Sequence, residues 1–463
     1  MNCPIIKKIE IYKTEEQYRA PVPAGSFTLK KRYSIFIHIT ARLGNKTYEG
    51  WGEGSQFHPF FTGETCEQMT DDVEKRIAPH IIGMEIHSVR GVLDLINKLK
   101  GMKYDYLCTL SAVDMALFDL LGQFRQASVF SMIRKFLQME PIEENFPNMP
   151  ISLCLDFIKP DSESGIDEII KKADKLAGDG YRFFEVPLYK HSDLAYVNNM
   201  ISRINEKLHL SFPGIKFSFS IHAGEVFSEI EEIRDIKQND FAGVSHFIQP
   251  FHRDIPHYSF LLKEMLREQD DKLSVFSDQG ASSVERIRNL VESGSVDGIV
   301  VKMGRSGGFS FIVELYNFLL KYPGIPLAFS SLFESGLGTA ANIHASLVLH
   351  ESGLRDSGYG FDGFSRVAGD KYCHGKDAIK YINPDKGWTD IDGSGCMVFG
   401  SLQAVGNTKG LGQEINMDYI LSNTHKASII SRRNEKIVIH RFPYRKGSPD
   451  NRNVETEIMN VGN

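Results

Sequence analysis

The side chains best suited to chemistry stand at the ends of short apolar runs. From residue 150 onward these runs are ISLCLDF, FFEVPLY, IKFSFSI, VSHFIQPF, KLSVFSD, GIVVKM and IPLAFSS. Their final polar positions are Asp156, then Glu185, then Ser220 and His222, then Gln249, then Asp278 and Gln279, then Lys302, then Ser330 and Ser331 with Glu334 close behind. A lysine in a pocket that lowers its proton affinity is a base. Carboxylates such as Glu185, Asp278 and Glu334 can orient it, exchange protons with it or bind a cation. His222, Gln249 and His252 form a polar set able to do acid/base work near neutral pH. His222, Glu225 and Asp278 also have the donor types of a borderline metal such as Zn²⁺. Each residue has a plainer use. Lys302 can ion-pair with Asp278 or Glu334, His222 can be satisfied by neighbouring backbone, and His344, inside AANIHASLVLH, reads as a packing residue.

Something must hold these ends together. Between the runs lie amphipathic stretches such as GIDEIIKKADKLAGDG and VERIRNLVESGS. With a further run, YGF near residue 360, that makes eight strands alternating with helices, which fits a parallel barrel. In such a barrel the chemistry gathers at the C-terminal strand ends. An open doubly wound sheet fits less well, because no GxGxxG follows the first strand. Residues 1–55 alternate apolar and polar side chains as strands do, with a hairpin turn at Gly44-Asn45. Residues 65–138 read as helical, and in LSAVDMALFDLLGQF the residues Ala112, Val113, Ala116, Leu117 and Leu120 recur at helical spacing. The expected domains are an α+β unit over 1–145, a linker within Gln138–Pro150, a barrel over 150–370, a return segment over 371–422 and an extension over 423–463. The last part, with RRNEK and PYRKGSPDNRN, reads as a poorly ordered or docking tail.

Composition narrows the class. The chain has 463 residues, 42% apolar and 24% charged, with a formal charge of −6. That balance speaks against nucleic acid as the main partner. The six cysteines form no CxxC pair and suggest free thiols rather than zinc or disulfides. The N-terminal MNCPIIKKIEIYK lacks a signal-peptide core, and no run approaches ~20 apolar residues. A soluble, cytoplasmic protein without a membrane partner is expected.

An ordered set of motifs then points to a family. GWGEG at 50–54, FTGET at 61–65 and AVDMALFDLLG at 112–122 resemble the capping domain of the enolase superfamily. SDQGASS at 277–283, VDGIVVKMGRSGG at 296–308 and SSLFESGLGTAANIHASL at 330–347 resemble its barrel, and GLGQEIN at 410–416 resembles the strand that returns to the cap. Lys302 on the sixth strand resembles the mandelate racemase/muconate-lactonizing group. The resemblance implies an α/β fold, a (β/α)7β-type TIM barrel with an N-terminal α+β capping domain. It also implies an isomerase or lyase that removes a proton next to a carboxylate, with Mg²⁺ and lysine bases. Capping loops around 20–27 and 50–64 would close over the substrate.

The implied ligand set is incomplete here. The third-strand position reads Ser220-Ile221-His222, the fourth Ile248-Gln249-Pro250, and the second-strand lysine pair reads Glu185-Val186-Pro187. Asp278 alone remains as a metal carboxylate, together with Lys302 and Glu334. The expected catalytic set is therefore Lys302, Glu334, Glu185 and His222, with Gln249, Gln279 and Ser331 binding substrate and Asp278 as the one metal ligand. The expected activity is epimerisation, cycloisomerisation or elimination on a small organic acid or amino-acid derivative, without the standard Mg²⁺ site and in a homo-oligomer. The alternatives are a non-catalytic ligand-binding or scaffold protein, and a conventional Mg²⁺ enzyme.

Overall fold

The computed structural model describes residues 3–24, 27–102, 106–140, 152–155, 163–190, 194–233, 243–268, 273–349, 373–374, 408–445, 448–449 and 454–460. Three long antiparallel strands open the chain: β1 (Ile5–Ala24), β2 (Phe27–Leu43) and β3 (Lys46–Ser55). The β2–β3 turn falls at Gly44-Asn45, where Gly44 has φ 58° and Leu43 pairs with Lys46. Alternation places Ile9, Ile11, Ile35, Ile37 and Ile39 among the buried residues. Helix α1 (Leu107–Arg125) packs against β3, and its residues Cys108–Gly122 are all buried. Length and composition alone would let it cross a membrane, but it lies inside the protein core.

The glycines of GWGEG are required by this packing. A Cβ on Gly50 would lie 2.2 Å from the Ala116 carbonyl oxygen, and one on Gly52 would lie 2.0 Å from that of Ala112. Only bare backbone lets the helix approach so closely. The intervening Trp51 and Glu53 project from the opposite face.

The second unit is a parallel sheet whose order follows the sequence: β4 (Ser152–Cys154), β5 (Phe183–Pro187), β6 (Ser218–His222), β7 (Val244–Ile248), β8 (Ser274–Ser277), β9 (Gly298–Val301) and β10 (Leu327–Phe329). Most connections carry a helix, among them α2 (Glu163–Gly178), α3 (Leu194–Ser211), α4 (Pro256–Glu268), α5 (Val284–Glu292) and α6 (Gly308–Leu319), and α7 (Gly336–Leu349) follows β10. Sequential parallel order with helical crossovers is the barrel arrangement. Phe184, Phe219, Phe247, Val275, Ile299, Val301 and Phe329 belong to the large core that includes the helices. Ile248, Phe276, Val300 and Ala328 alternate with them and form a separate apolar cluster, which fills the lumen. The expected eighth strand near residue 360, its Asp362, and Asp156 lie outside the described residues.

The C-terminal expectation is corrected. Its basic composition suggested a poorly ordered or docking tail. Instead β11 (Thr424–Arg433) pairs antiparallel with β1, β12 (Lys436–Arg445) pairs with β11, and β13 (Glu455–Asn460) pairs with β12. The β11–β12 turn is Asn434-Glu435, with φ 44° and 66°. Two positive φ values suit a tight hairpin turn. The flanking alternation buries Ile430, Ile437 and Ile439. In the 410–416 segment, Glu414–Ile415 pairs with Cys373–His374, while Gly410 bonds to Ala127 and Val129 and Leu411 to Asp119, all in the cap, as the return segment was expected to do.

Buried carboxylates at helix N-termini tie the cap to the barrel. Glu53 accepts from the backbone N–H of Ser335 at 2.9 Å and Gly338 at 3.2 Å, at the start of α7. Asp114 of α1 accepts from Phe309 and Ser310 at the start of α6. Helix N-termini present unpaired N–H groups and a partial positive charge, so these anions are held where they are most stable.

Candidate functional site

Four of the expected residues converge at the C-terminal end of the barrel. Glu185 lies on β5, His222 ends β6, Asp278 follows β8 and Lys302 follows β9. Lys302 Nζ donates to Asp278 Oδ2 at 2.8 Å. His222 Nε2 lies 3.2 Å from the same oxygen, and its Nδ1 lies 3.1 Å from Glu185 Oε1. A fifth residue completes the cluster. Arg305, on the turn Met303–Arg305, donates to Asp278 Oδ1 at 2.6 Å and also to the Asp278 carbonyl. Charge-assisted bonds of this kind are short and strong, and a buried carboxylate of this kind needs them.

The charges hold one another. Burial works against charge on His222, but Glu185 and Asp278 on its two nitrogens raise it to about 9. Burial works against charge on Asp278 as well, but Arg305, Lys302 and His222 hold its carboxyl well below the usual range. Glu185 is likewise held low, against burial, by His222 and Lys302. At neutral pH the cluster is two carboxylates, an imidazolium, an ammonium and a guanidinium.

The other expected residues take different places. Gln249 has φ 46°, and its Oε1 accepts from Ser277 Oγ, Asp278 N–H and Gly280 N–H at 3.1, 2.8 and 3.1 Å. Its Nε2 donates to the Phe251 carbonyl at 2.7 Å. This amide braces the loop that carries Asp278. Gln279 is 4% exposed, and its Oε1 is buried without a hydrogen-bond partner among the described residues. Ser331 is buried at the end of the seventh strand run, where its Oγ meets the Phe333 N–H at 3.5 Å. Glu334 accepts from the Leu332 N–H at 2.6 Å, and burial, with nearby Glu53, pushes it up to about 7.

Several candidates stay apart. Glu225 is bound bidentately by Arg253, at 2.8 and 3.0 Å, and does not join His222 and Asp278 as a zinc ligand. His252 is half-exposed beside Asp254 and does not join the His222–Gln249 set. His344 is buried, meets the Phe130 N–H at 3.4 Å and is pushed down to about 4 by burial, so it packs as a neutral ring.

The cap reaches over this end of the barrel. Phe57 and Phe333 stack at 4.8 Å with an interplanar angle of 4°, and both have positive φ, 47° and 60°. Bulky residues rarely adopt that backbone region, and strain of this kind gathers at ligand clamps. Ser55 Oγ donates to the Leu332 carbonyl at 2.8 Å, and Arg32, paired with Glu16, donates to the Phe333 carbonyl at 3.1 Å.

Arg305 is the member of the cluster that the sequence did not single out. Its only signal was its position three residues after Lys302, one turn on. Whether it reached Asp278 or solvent depended on the turn after β9.

The family resemblance implies Mg²⁺, and the described residues do not fit it. Mg²⁺ needs several hard oxygen ligands in octahedral array. The three strand ends offer an imidazole, an amide whose oxygen already accepts three bonds, and a carboxylate already bound by three cationic groups. A divalent cation at Asp278 would stand against Lys302, Arg305 and charged His222.

Comparison with known proteins agrees with the architecture. Residues 8–133 match the family described as mandelate racemase / muconate lactonizing enzyme, N-terminal domain. The chain is similar to an o-succinylbenzoate synthase of Bacillus subtilis, 21% identical over 73% of this chain and 81% of that protein. It is similar to an N-succinylamino acid racemase of Thermus thermophilus, 19% identical over 69% of this chain and 76% of that protein. Among solved structures it superposes on a muconate lactonizing enzyme of Pseudomonas fluorescens with a TM-score of 0.70 and 16% identity, covering 91% of this chain and 100% of that one.

Proposed function

We propose that this chain, an enolase-superfamily protein of the mandelate racemase/muconate-lactonizing type by its fold and its N-terminal domain, is an isomerase or lyase that acts next to the carboxylate of a small organic acid or amino-acid derivative without the standard Mg²⁺ site. The supporting observation is the convergence of Glu185, His222, Asp278, Lys302 and Arg305 at the barrel end. The relatives named as synthase and racemase support the general kind of reaction.

Removing a proton beside a carboxylate builds negative charge that must be held. In this cluster the Lys302 ammonium supplies it. Among the described residues Asp278 engages one of its three donors, and the others can meet a substrate oxygen. His222 and Arg305 reinforce the positive field without touching the substrate. The buried Glu334 is the nearby carboxyl whose proton affinity suits transfer near neutral pH. The cap loops, pinned through Phe57 and Phe333, would exclude water.

The test is solvent exchange. Metal-stripped protein is incubated in D₂O with small acids, N-acylamino acids and dipeptides, with and without Mg²⁺, and the protons beside the carboxylate are followed by NMR. Exchange in chelator that Lys302→Ala abolishes is expected, with the variant's fold checked by circular dichroism because the change breaks the buried pair with Asp278. Exchange that requires Mg²⁺ would restore the conventional enzyme. A second reading, a non-catalytic ligand-binding protein, is favoured by the mutual pairing of the five charges and by the apolar lumen cluster. Absence of exchange across the panel would favour it.

A further inference from the structure

A cavity of about 810 Å³ lies in the cap, walled by β1, β2, β3, α1 and the return segment near 413–417. That is the size of a small-molecule site, and none of its lining residues belongs to the barrel. Strand pairing builds its wall. Glu10 on β1 stands opposite His38 on β2, and His38 stands opposite Trp51 on β3, so the three share one face of the sheet. His38 and Trp51 stack at 4.2 Å with an interplanar angle of 6°, and Tyr12 and Trp51 stack at 6.1 Å. Tyr48 adds a further ring to the lining.

The charges around this wall are unevenly committed. The lining carries the carboxylates of Glu10, Glu49, Asp119 and Glu414 and, among the described residues, no lysine or arginine. Lys8, from outside the lining, and His38 Nδ1 both meet Glu10 at 2.8 Å. Asp119 accepts from the backbone N–H groups of Trp51 and Leu411. The Glu49 side chain is more than half exposed, and its carboxylate stands 3.7 Å from His38 Nε2, beyond hydrogen-bond reach. That nitrogen is buried without a hydrogen-bond partner among the described residues, in a side chain nine-tenths buried. Burial works against charge on His38, but Glu10 and Glu49 raise its proton affinity above the ordinary value, so Nε2 carries a hydrogen. A buried donor without an acceptor is costly and rare in a native structure.

We propose that this cavity binds a small organic cation that carries one oxygen acceptor, with the alkylated ammonium head against the Tyr48 and Trp51 rings beside Glu49 and the oxygen on His38 Nε2. Ring faces attract cations, and the methyl groups of an alkylated ammonium bury against them while its charge faces the carboxylate. The orphan donor selects a ligand with a hydroxyl or carbonyl oxygen, which reaches Nε2 when the exposed Glu49 side chain turns aside. This inference is independent of the proposed function, because the cavity shares no residue with the barrel end.

The probes are choline, ethyltrimethylammonium, which lacks the hydroxyl, and 3,3-dimethyl-1-butanol, which lacks the charge. Each is titrated calorimetrically into the full chain. Choline is expected to bind, ethyltrimethylammonium about tenfold more weakly, and the neutral alcohol not measurably. Choline is also expected to shift the emission of Trp51, read in a Trp388→Phe background because the chain has two tryptophans. Glu49→Gln, at an exposed position, is expected to weaken choline about tenfold. His38→Phe leaves Glu10 paired with Lys8 and is expected to erase the preference for choline over ethyltrimethylammonium. No binding of choline, equal binding of the neutral alcohol, an unchanged affinity in Glu49→Gln, a preference that survives His38→Phe, or binding that leaves Trp51 emission unmoved overturns the inference.

Discussion

His222→Gln tests whether the imidazole is held charged between two carboxylates. A histidine normally releases its proton near 6.5, and here release is raised to about 9. At 1.36 kcal/mol per pH unit, the gap is worth about 3 kcal/mol of folding free energy. The sign follows from the raised value. The folded state keeps a proton that the unfolded chain has lost. The contribution is therefore fully present below about 6.5 and disappears as pH rises through about 9. That proton belongs jointly to Glu185, His222 and Asp278, so the 3 kcal/mol is counted once for the trio. For a unit of 150–250 residues, 1 kcal/mol moves the melting temperature by ~2–4 °C. Glutamine keeps a donor but cannot take the charge, so the informative quantity is the difference between the two proteins, not either melt alone. Thermal melts of both are recorded from pH 6 to pH 10. The gap is expected to be largest at pH 6 and to shrink by ~6–12 °C by pH 10. A gap that stays constant or widens with pH would falsify the charged imidazolium.

Other perturbations probe the frame. Asp278→Asn leaves Lys302, Arg305 and His222 without their shared carboxylate, and at ~3–5 kcal/mol for breaking a buried pair the melting temperature should fall by ~6–20 °C; a fall of under about 2 °C would show that the pairing is weak. Gly52→Ala places a methyl 2.0 Å from the Ala112 carbonyl oxygen, so it should be among the most damaging single changes in the cap, read as loss of soluble protein or a melting temperature lowered well beyond that of an exposed glycine change such as Gly63→Ala. Glu53→Gln weakens the anchor at the start of α7 and should cost ~1–3 kcal/mol by urea unfolding. Ending the chain after Asn423 strips β11 from β1 and removes Ile430, Ile437 and Ile439 from the core, so the shortened protein should aggregate, while an intact monodisperse product would show the extension to be dispensable.

Much of the frame could be read from sequence because it depends on local periodicity. Alternation marked the cap strands, 3.6-residue spacing marked the helix around Ala112–Leu120, and seven of the eight expected runs coincide with described parallel strands. Glu185, His222, Asp278 and Lys302 were found because a parallel barrel brings strand ends together whatever their sequence. The C-terminal hairpin was misread because basic composition was given more weight than its alternation around Asn434-Glu435. Partner choice was beyond sequence. Only the folded chain decided that Lys302 meets Asp278 rather than Glu334, that Glu225 is taken by Arg253, that the Gln249 amide braces the Asp278 loop, and that Arg305 turns inward. Residue types state what a side chain can bind. Which neighbour it binds depends on angstrom-scale placement by turns and bulges, which no periodicity records, and in a buried site that placement decides whether a carboxylate meets a cation or a metal.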